Sequence, residues 1–428
     1  MRKYAVLRGL VPRLTRACAI AVPAALLAGL AAAPATSATA QSVRTPTLMG
    51  WGAREGWNTC KPSNCDETPQ PVPDPAGTAY VEIDASDRYD LAIDTAGNVW
   101  GWGNNKYGAL GDGSVAASAR PVQVPGLDAP AVATATGNSD AVALLSGGEV
   151  YSWGNNTSGQ LCNGAKGGYT TTAAPASALM SALPPGVTVT AVAAGGNKAY
   201  FLLSDGTVMA CGSNADGQLG SDSAKSYSDR PVQVAGVGGA GVLSGVTAIT
   251  AGNLFGGALL SDGTVVSWGN NAYGQLGDGT TTDSPVPVAV TGLTDGITSA
   301  VVQISYGGNK TSNGHAMALL SDGNVMTWGD NASGQLGDGR TRNSSVPVLV
   351  SGLSDGTTRD VTAIAAGGRH SMALLSDGNV MTWGNNAEGQ LGDDTTSNSS
   401  VPVQVTGLGA NDTELISAGA EASLAALA

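Results

Sequence analysis

His370–Asp394 reads HSMALLSDGNVMTWGNNAEGQLGDD, and His315–Gly339 reads HAMALLSDGNVMTWGDNASGQLGDG, with 21 of 25 positions identical. Within the phrase, Leu374-Leu375 and Val380-Met381-Thr382-Trp383 are short β-prone runs separated by Asp377-Gly378. Two such runs around Asp-Gly predict a hairpin, since the turn needs positive φ that glycine adopts without penalty. A further β-like run, Val361–Ala365, precedes the hairpin, and Pro402–Val405 follows it. Four short strands in about 55 residues define a blade of a β-propeller; the coils of an open β-solenoid are shorter and more uniform.

The phrase recurs along the chain. Its Trp-Gly core stands at Trp102, Trp153, Trp268, Trp328 and Trp383, with Cys211 in the tryptophan place of a sixth copy, at intervals of 51 to 60 residues. Each copy continues into an Asn-containing turn and a Gly-x-Leu, as in Gly389-Gln390-Leu391. The two ends are complementary. Leu48-Met49-Gly50-Trp51 matches the strand after the hairpin, whereas Leu415–Gly419 and Ala422–Leu427 match the two strands before it. Together they supply one blade, so the sequence predicts an all-β, seven-bladed propeller closed by an N-terminal strand that completes the C-terminal blade. Closure leaves no exposed blade edge at the join.

These residues resemble the RCC1 (regulator of chromosome condensation) repeat, through WGxNxxGQLG, Asp377-Gly378 and the histidine position of His315 and His370. The resemblance covers about residues 45 to 428 and implies a seven-bladed propeller. Its eukaryotic founding member is an exchange factor for a small GTPase and a chromatin binder, but no exchange-promoting loop matches residue by residue, so exchange activity is not carried over. Exported bacterial propellers of this repeat style include an inhibitor of β-lactamases, which makes a bacterial secreted version the expectation.

That expectation rests on residues 1–40. Arg2, Lys3, Arg8, Arg13 and Arg16 precede an apolar run and a small-residue Ala38-Thr39-Ala40, the order of a signal peptide. Residues 41–428 then form a single domain, with irregular loops at 58–79 and 163–190. The whole chain carries 20 basic and 33 acidic side chains, and the leader holds five of the basic ones and no acid. An acidic domain repels polyanions, whose binding depends on Lys and Arg displacing counterions; nucleic acid is therefore not an expected partner, and no membrane anchor remains after cleavage. The expected localisation is secreted or cell-surface. Cys60, Cys65, Cys162 and Cys211 permit three disulfide pairings, which the sequence leaves open.

Catalytic signatures are missing from the sequence. There is no His-Glu-x-x-His, nucleophile elbow or phosphate loop, and the two histidines occupy one repeat position in different blades, which predicts a packing role. Asp278-Gly279 and Asp338-Gly339 lack EF-hand spacing and read as turns. No catalytic residue, metal or cofactor is assigned. The tryptophans at 51, 102, 153, 268, 328 and 383, with Cys211, are too regular for a ligand site and predict structural core. The binding candidates are side chains that depart from the repeat: Arg54, Trp57, Lys106, Tyr107, Tyr169, Tyr227, Tyr273 and Arg340. Exposed aromatics and arginines are the usual anchors of protein interfaces. The function expected is non-catalytic binding of an extracellular or envelope protein through loops on one face. Glycan or cell-wall binding is the alternative, and a carboxylate-dependent hydrolase a weaker one.

Overall fold

The computed structural model describes residues 47–53, 66–73, 78–86, 88–293, 299–309, 314–353, 360–408 and 412–427. Its strands form seven four-stranded antiparallel sheets. In order from the innermost strand outward, blade 1 is Tyr80–Ala85, Tyr89–Asp94, Val99–Gly103 and Ser118–Gln123; blade 2 is Ala131–Thr136, Asp140–Leu145, Val150–Asn155 and Tyr169–Pro175. Blade 3 is Val189–Gly195, Lys198–Leu203, Val208–Ser213 and Tyr227–Gln233; blade 4 is Val246–Ala251, Phe255–Leu260, Val265–Gly269 and Ser284–Ala289. Blade 5 is Val301–Tyr306, His315–Leu320, Val325–Gly329 and Ser344–Leu349, and blade 6 is Val361–Ala366, His370–Leu375, Val380–Gly384 and Ser399–Gln404.

The ring closes as the sequence predicts. Thr47–Gly52 lies between Ala422–Leu427 and Asp66–Pro71 in one sheet, with Thr413–Ala418 innermost. Its register with the C-terminal strand runs without a break from Thr47 opposite Leu427 to Gly52 opposite Ala422.

Seven separate hydrophobic clusters fill the seven seams between neighbouring blades. The second strand of a blade, such as His370–Leu375, is buried at every position, because it faces both neighbouring blades. Outer strands such as Ser399–Gln404 present only a half-buried face, so their sequences turn to Ser, Pro and Val. The hairpin forms where Asp377-Gly378 places it: the Gly378 amide donates to Leu375, and the Asp377 carboxylate accepts from the Asn379 amide.

The two segments expected to be irregular contain regular elements. Asp66–Pro71, inside 58–79, is the outer strand of blade 7; Tyr169–Pro175 and a short helix, Ser177–Ala182, lie inside 163–190. The signal-peptide reading of residues 1–40 falls outside the described residues, as do Arg54, Trp57, Cys60 and Cys65.

Candidate functional site

Chain direction sorts the loops onto two faces. Turns between first and second strands, and longer connections between third and outer strands, share one face; the Asp-Gly hairpins lie on the other. The first face also holds the mouth of a central cavity of about 170 Å³, lined by residues of the innermost strands and their turns, including Asp84, Asn138, Gly196 and Ser305.

Around that cavity, side chains tie neighbouring innermost strands together. Ser417 Oγ accepts from the Ala85 amide, Thr250 Oγ1 from Tyr306, Ser305 Oγ from Ala366, and Gln303 Oε1 from Ile364. In blade 1 the bridging group is Glu82, which accepts from the amide and hydroxyl of Thr134 at 2.6 and 2.8 Å. Burial raises Glu82 to about 7. Asp84 is raised from 3.8 to about 8, first by burial and then by the Glu82 charge. These carboxyls act as cross-blade struts.

The histidines are struts as well. His315 Nε2 lies 2.7 Å from Ser371 Oγ, and His370 Nε2 lies 2.9 Å from Ser423 Oγ. Each serine spends its proton on a carbonyl, Gln335 or Gln390. Each imidazole must therefore donate from Nε2; burial keeps both neutral, holding the pair at about 3 and 4. In blade 3 the same position is Lys198, fully buried, whose ammonium donates to the carbonyls of Gly195, Gly252 and Asn253. Burial lowers it from 10.5 to about 7, opposed by Asp140 and Asp216. None of these groups presents a nucleophile with an oriented base, the pairing covalent catalysis needs.

The repeat tryptophans are core. Trp51, Trp102, Trp153, Trp268, Trp328 and Trp383 are at most 1% exposed. Trp383 Nε1 donates to the Gln335 carbonyl of the preceding blade at 2.9 Å, and Trp328 repeats this to Gln275 at 3.0 Å. Cys211 takes the tryptophan place in blade 3 and is bonded to Cys162 of blade 2, 49 residues away, which settles one of the pairings the sequence left open.

The departures from the repeat converge on blades 1 to 3. A third-to-outer connection reaches over the outer strand of the next blade: Gly108 lies against Thr170 and Thr171, and Gly159 against Asp229. That reach brings Tyr107 edge-on to Tyr169, with ring centroids 6.2 Å apart, and Lys166 over the ring of Tyr227 at 3.4 Å. Lys106 Nζ lies 5.4 Å from the Tyr107 centroid. Tyr169 is 50% exposed and Tyr227 38%.

Comparison among blades shows that these tyrosines are not required by the scaffold. Each precedes the first serine or threonine of its outer strand, where blades 4, 5 and 6 have Asp283, Asn343 and Asn398. Those side chains accept the amides of Asn271, Asn331 and Asn386. In blades 2 and 3 the carbonyls of Gly168 and Ser226 accept the equivalent amides of Asn156 and Asn214. The structural bond is made by backbone, and the side-chain position is released.

Tyr273 and Arg340 do not join this group. Tyr273 is half-buried on blade 4, and Arg340 on blade 5 pairs with Asp338 at 3.4 Å. Sequence reasoning missed Lys166. Asp278 and Asp338 are turn acids, accepting the amides of Thr280 and Arg340.

A closed seven-bladed propeller with this repeat geometry defines the class. The sequence profile of the "Regulator of chromosome condensation (RCC1) repeat" matches residues 96–144, 147–202, 262–312, 322–374 and 377–426, more than half of the chain. The chain belongs to the RCC1-repeat family. It is 30% identical over 391 residues to the E3 ubiquitin-protein ligase HERC2 of Mus musculus, covering 89% of this chain but only 8% of HERC2. It is 30% identical over 332 residues to the ultraviolet-B receptor UVR8 of Arabidopsis thaliana, covering 76% of this chain and 69% of UVR8. Among solved structures, Prp20p of Saccharomyces cerevisiae superposes with a TM-score of 0.72 at 23% identity, covering 90% of this chain and 92% of that one. That likeness shows the fold.

These relatives correct the expectations drawn from the leader. They come from mouse, thale cress and yeast rather than from exported bacterial proteins, and Prp20p is described with binding to Gsp1p and histones, not to an envelope protein or glycan. The bacterial, secreted version of the family, its extracellular partner and its cell-surface localisation are therefore withdrawn. A basic, apolar leader followed by an acidic domain was insufficient ground for them.

Proposed function

We propose that this chain is a non-catalytic protein-binding scaffold, engaging its partner with the face that carries the third-to-outer connections, through Lys106, Tyr107, Tyr169 and Tyr227. The observation that carries this reading is the release of positions 169 and 227 from their structural bond and their use for half-exposed tyrosines. Tyrosine supplies a large, stiff, amphipathic contact surface, which is why it is enriched where proteins bind. A rigid ring also holds its loops in place before binding, which lowers the ordering cost of association.

The test is quantitative affinity capture with the wild-type chain and a Tyr169→Ser/Tyr227→Ser variant as parallel baits. Both positions are exposed, so the variant is expected to melt within about 2 °C of wild type, as surface changes cost little. At least one protein should be retained by wild type and depleted about ten-fold or more on the variant, in line with the 1.4 kcal/mol or more lost at a hot spot. Identical protein sets on the two baits would remove this face from consideration.

A further inference from the structure

The proposed binding face is electrostatically uneven. In the third-to-outer connections of blades 1 to 3 (residues 104–117, 156–168 and 214–226), Lys106, Lys166 and Lys225 stand against Asp112, Asp216 and Asp222. In those of blades 4 to 6 (270–283, 330–343 and 385–398), Arg340 and Arg342 stand against Asp278, Asp283, Asp330, Asp338, Glu388, Asp393 and Asp394. The three connections of blades 1 to 3 are balanced, and those of blades 4 to 6 are five charges negative. On the balanced half Asp112 turns inward, accepting from Asn105 and from Ser114. Arg340, by contrast, is held by Asp338.

Among the described residues, Lys106 and Lys166 on the balanced half make no ion pair. Lys106 and Lys166 rest beside tyrosine rings rather than carboxylates, and Arg230 lies beside the Gly164 turn that precedes Lys166. An ammonium over a ring keeps its outer hemisphere open to an anion while the ring fixes its position. Lys106, Tyr107 and Tyr169 thus form one cation–aromatic group across blades 1 and 2, and Lys166 with Tyr227 a second across blades 2 and 3, together a ridge over three blades.

We infer that this ridge is the docking site of an extended acidic segment of a partner protein, one whose aspartates or glutamates alternate with apolar side chains. The inference rests on the protein-binding reading above and specifies its chemistry. Carboxylates would sit on the lysines and apolar side chains on the tyrosines. The negative half of the rim would repel the same segment, so charge sets the register as well as the strength. A long polyanion such as nucleic acid fits poorly, because the chain as a whole is 13 charges negative and nucleic-acid affinity depends on many phosphate contacts at once.

Fluorescence anisotropy separates these outcomes. The probes are three labelled 12-residue peptides, alternating Glu or Asp with Phe or Leu, Gln with Phe or Leu, and Lys with Phe or Leu, together with a 12-nucleotide oligothymidine. The acidic peptide should bind at least ten-fold more tightly than the others. Its affinity should fall about ten-fold in Lys106→Glu/Lys166→Glu, fall on Tyr169→Ser/Tyr227→Ser, and stay unchanged in Arg340→Glu on the far half. Equal binding of the neutral peptide, or tighter binding of the basic peptide or the oligonucleotide, overturns the inference. If capture depends on the tyrosines while the acidic peptide shows no preference, the chemistry is wrong and the binding face stands. If capture is independent of the tyrosines, both readings fall.

Discussion

Five glycines follow the Gly-x-Leu of their blades, and each touches the tryptophan of the next blade. Gly337 is typical, with φ +67° and a site for Cβ only 2.7 Å from Trp383 Nε1. Any side chain there must displace an indole that is sealed in the seam. The exception explains the rule. In blade 2 this place is Cys162, at φ 54°, and it is tolerated where the next blade has Cys211 instead of tryptophan. Leu179 of the short helix fills that seam with them. Gly337→Ala is therefore expected to cost about 2–4 kcal/mol, the left-handed backbone and the overpacking together. Gly352, at φ +73° with open space around its Cβ site, isolates the backbone contribution, and Gly352→Ala should cost only about 1–2 kcal/mol. Urea unfolding measures both, and equal costs would show that the indole contact does not restrict position 337.

At the scale of the strand, the innermost ring is held by side chains, and its acids make that support depend on pH. Glu82 and Asp84 carry raised values of about 7 and 8, so between pH 4 and 8 the folded chain keeps protons that the unfolded chain has released. Stability from this pair is complete below about pH 4 and declines as pH rises to 8. The buried histidines act in the opposite direction: with values of about 3 and 4 they resist protonation, and stability falls as pH drops below 6.5. Lys198, at about 7, adds stability as pH rises above 7. The carboxyl contribution is isolated by difference. The melting temperature of Glu82→Gln/Asp84→Asn minus that of wild type should climb steadily from pH 5 to 8, and a flat difference would mean the two carboxyls titrate normally.

Strands and hairpins were legible because each is written by repeated local rules: Asp-Gly at four of the turns, at 205, 262, 322 and 377, and tryptophan in six of the third strands. The struts were not. Nothing in Tyr80-Val81-Glu82-Ile83-Asp84 marks its acids as struts; the structure sets Glu82 against Thr134 of the neighbouring blade and Asp84 at the central cavity. Lys166 escaped notice for a related reason, since its partner Tyr227 is brought to it by the reach of one blade over the next. Tyr169 and Tyr227 could be singled out as departures, but their freedom became visible once Asp283, Asn343 and Asn398 were seen holding amides that backbone carbonyls hold elsewhere.

For the whole molecule, the question is whether closure through Thr47–Gly52 stabilises the ring or merely completes one blade. In an open stack, each blade answers to its neighbours, and damage at one end stays local. In a closed ring, the same damage opens two seams' worth of constraint. Removing residues 1–53 takes the third strand from blade 7, strands its outer strand at Asp66–Pro71, and removes Trp51, whose indole donates to the Gln390 carbonyl of blade 6 at 2.9 Å. The tryptophan alone is worth about 3–5 kcal/mol. Hydrogen exchange on the shortened chain should show protection lost not only at Thr413–Ala418 and Ala422–Leu427 but also on the facing strands of blades 6 and 1, at His370–Leu375 and Tyr80–Ala85. Trp328→Ala supplies the comparison: it damages a seam whose two blades are joined directly in sequence, so loss should be confined to blades 4 and 5. Added in trans, a peptide spanning residues 44–56 should restore protection on both sides of blade 7, because the register from Thr47 to Gly52 is specified by the C-terminal strand it meets. If the shortened chain loses protection in blade 7 alone, with blades 6 and 1 unaffected, closure completes a blade and the ring is held together by its seams.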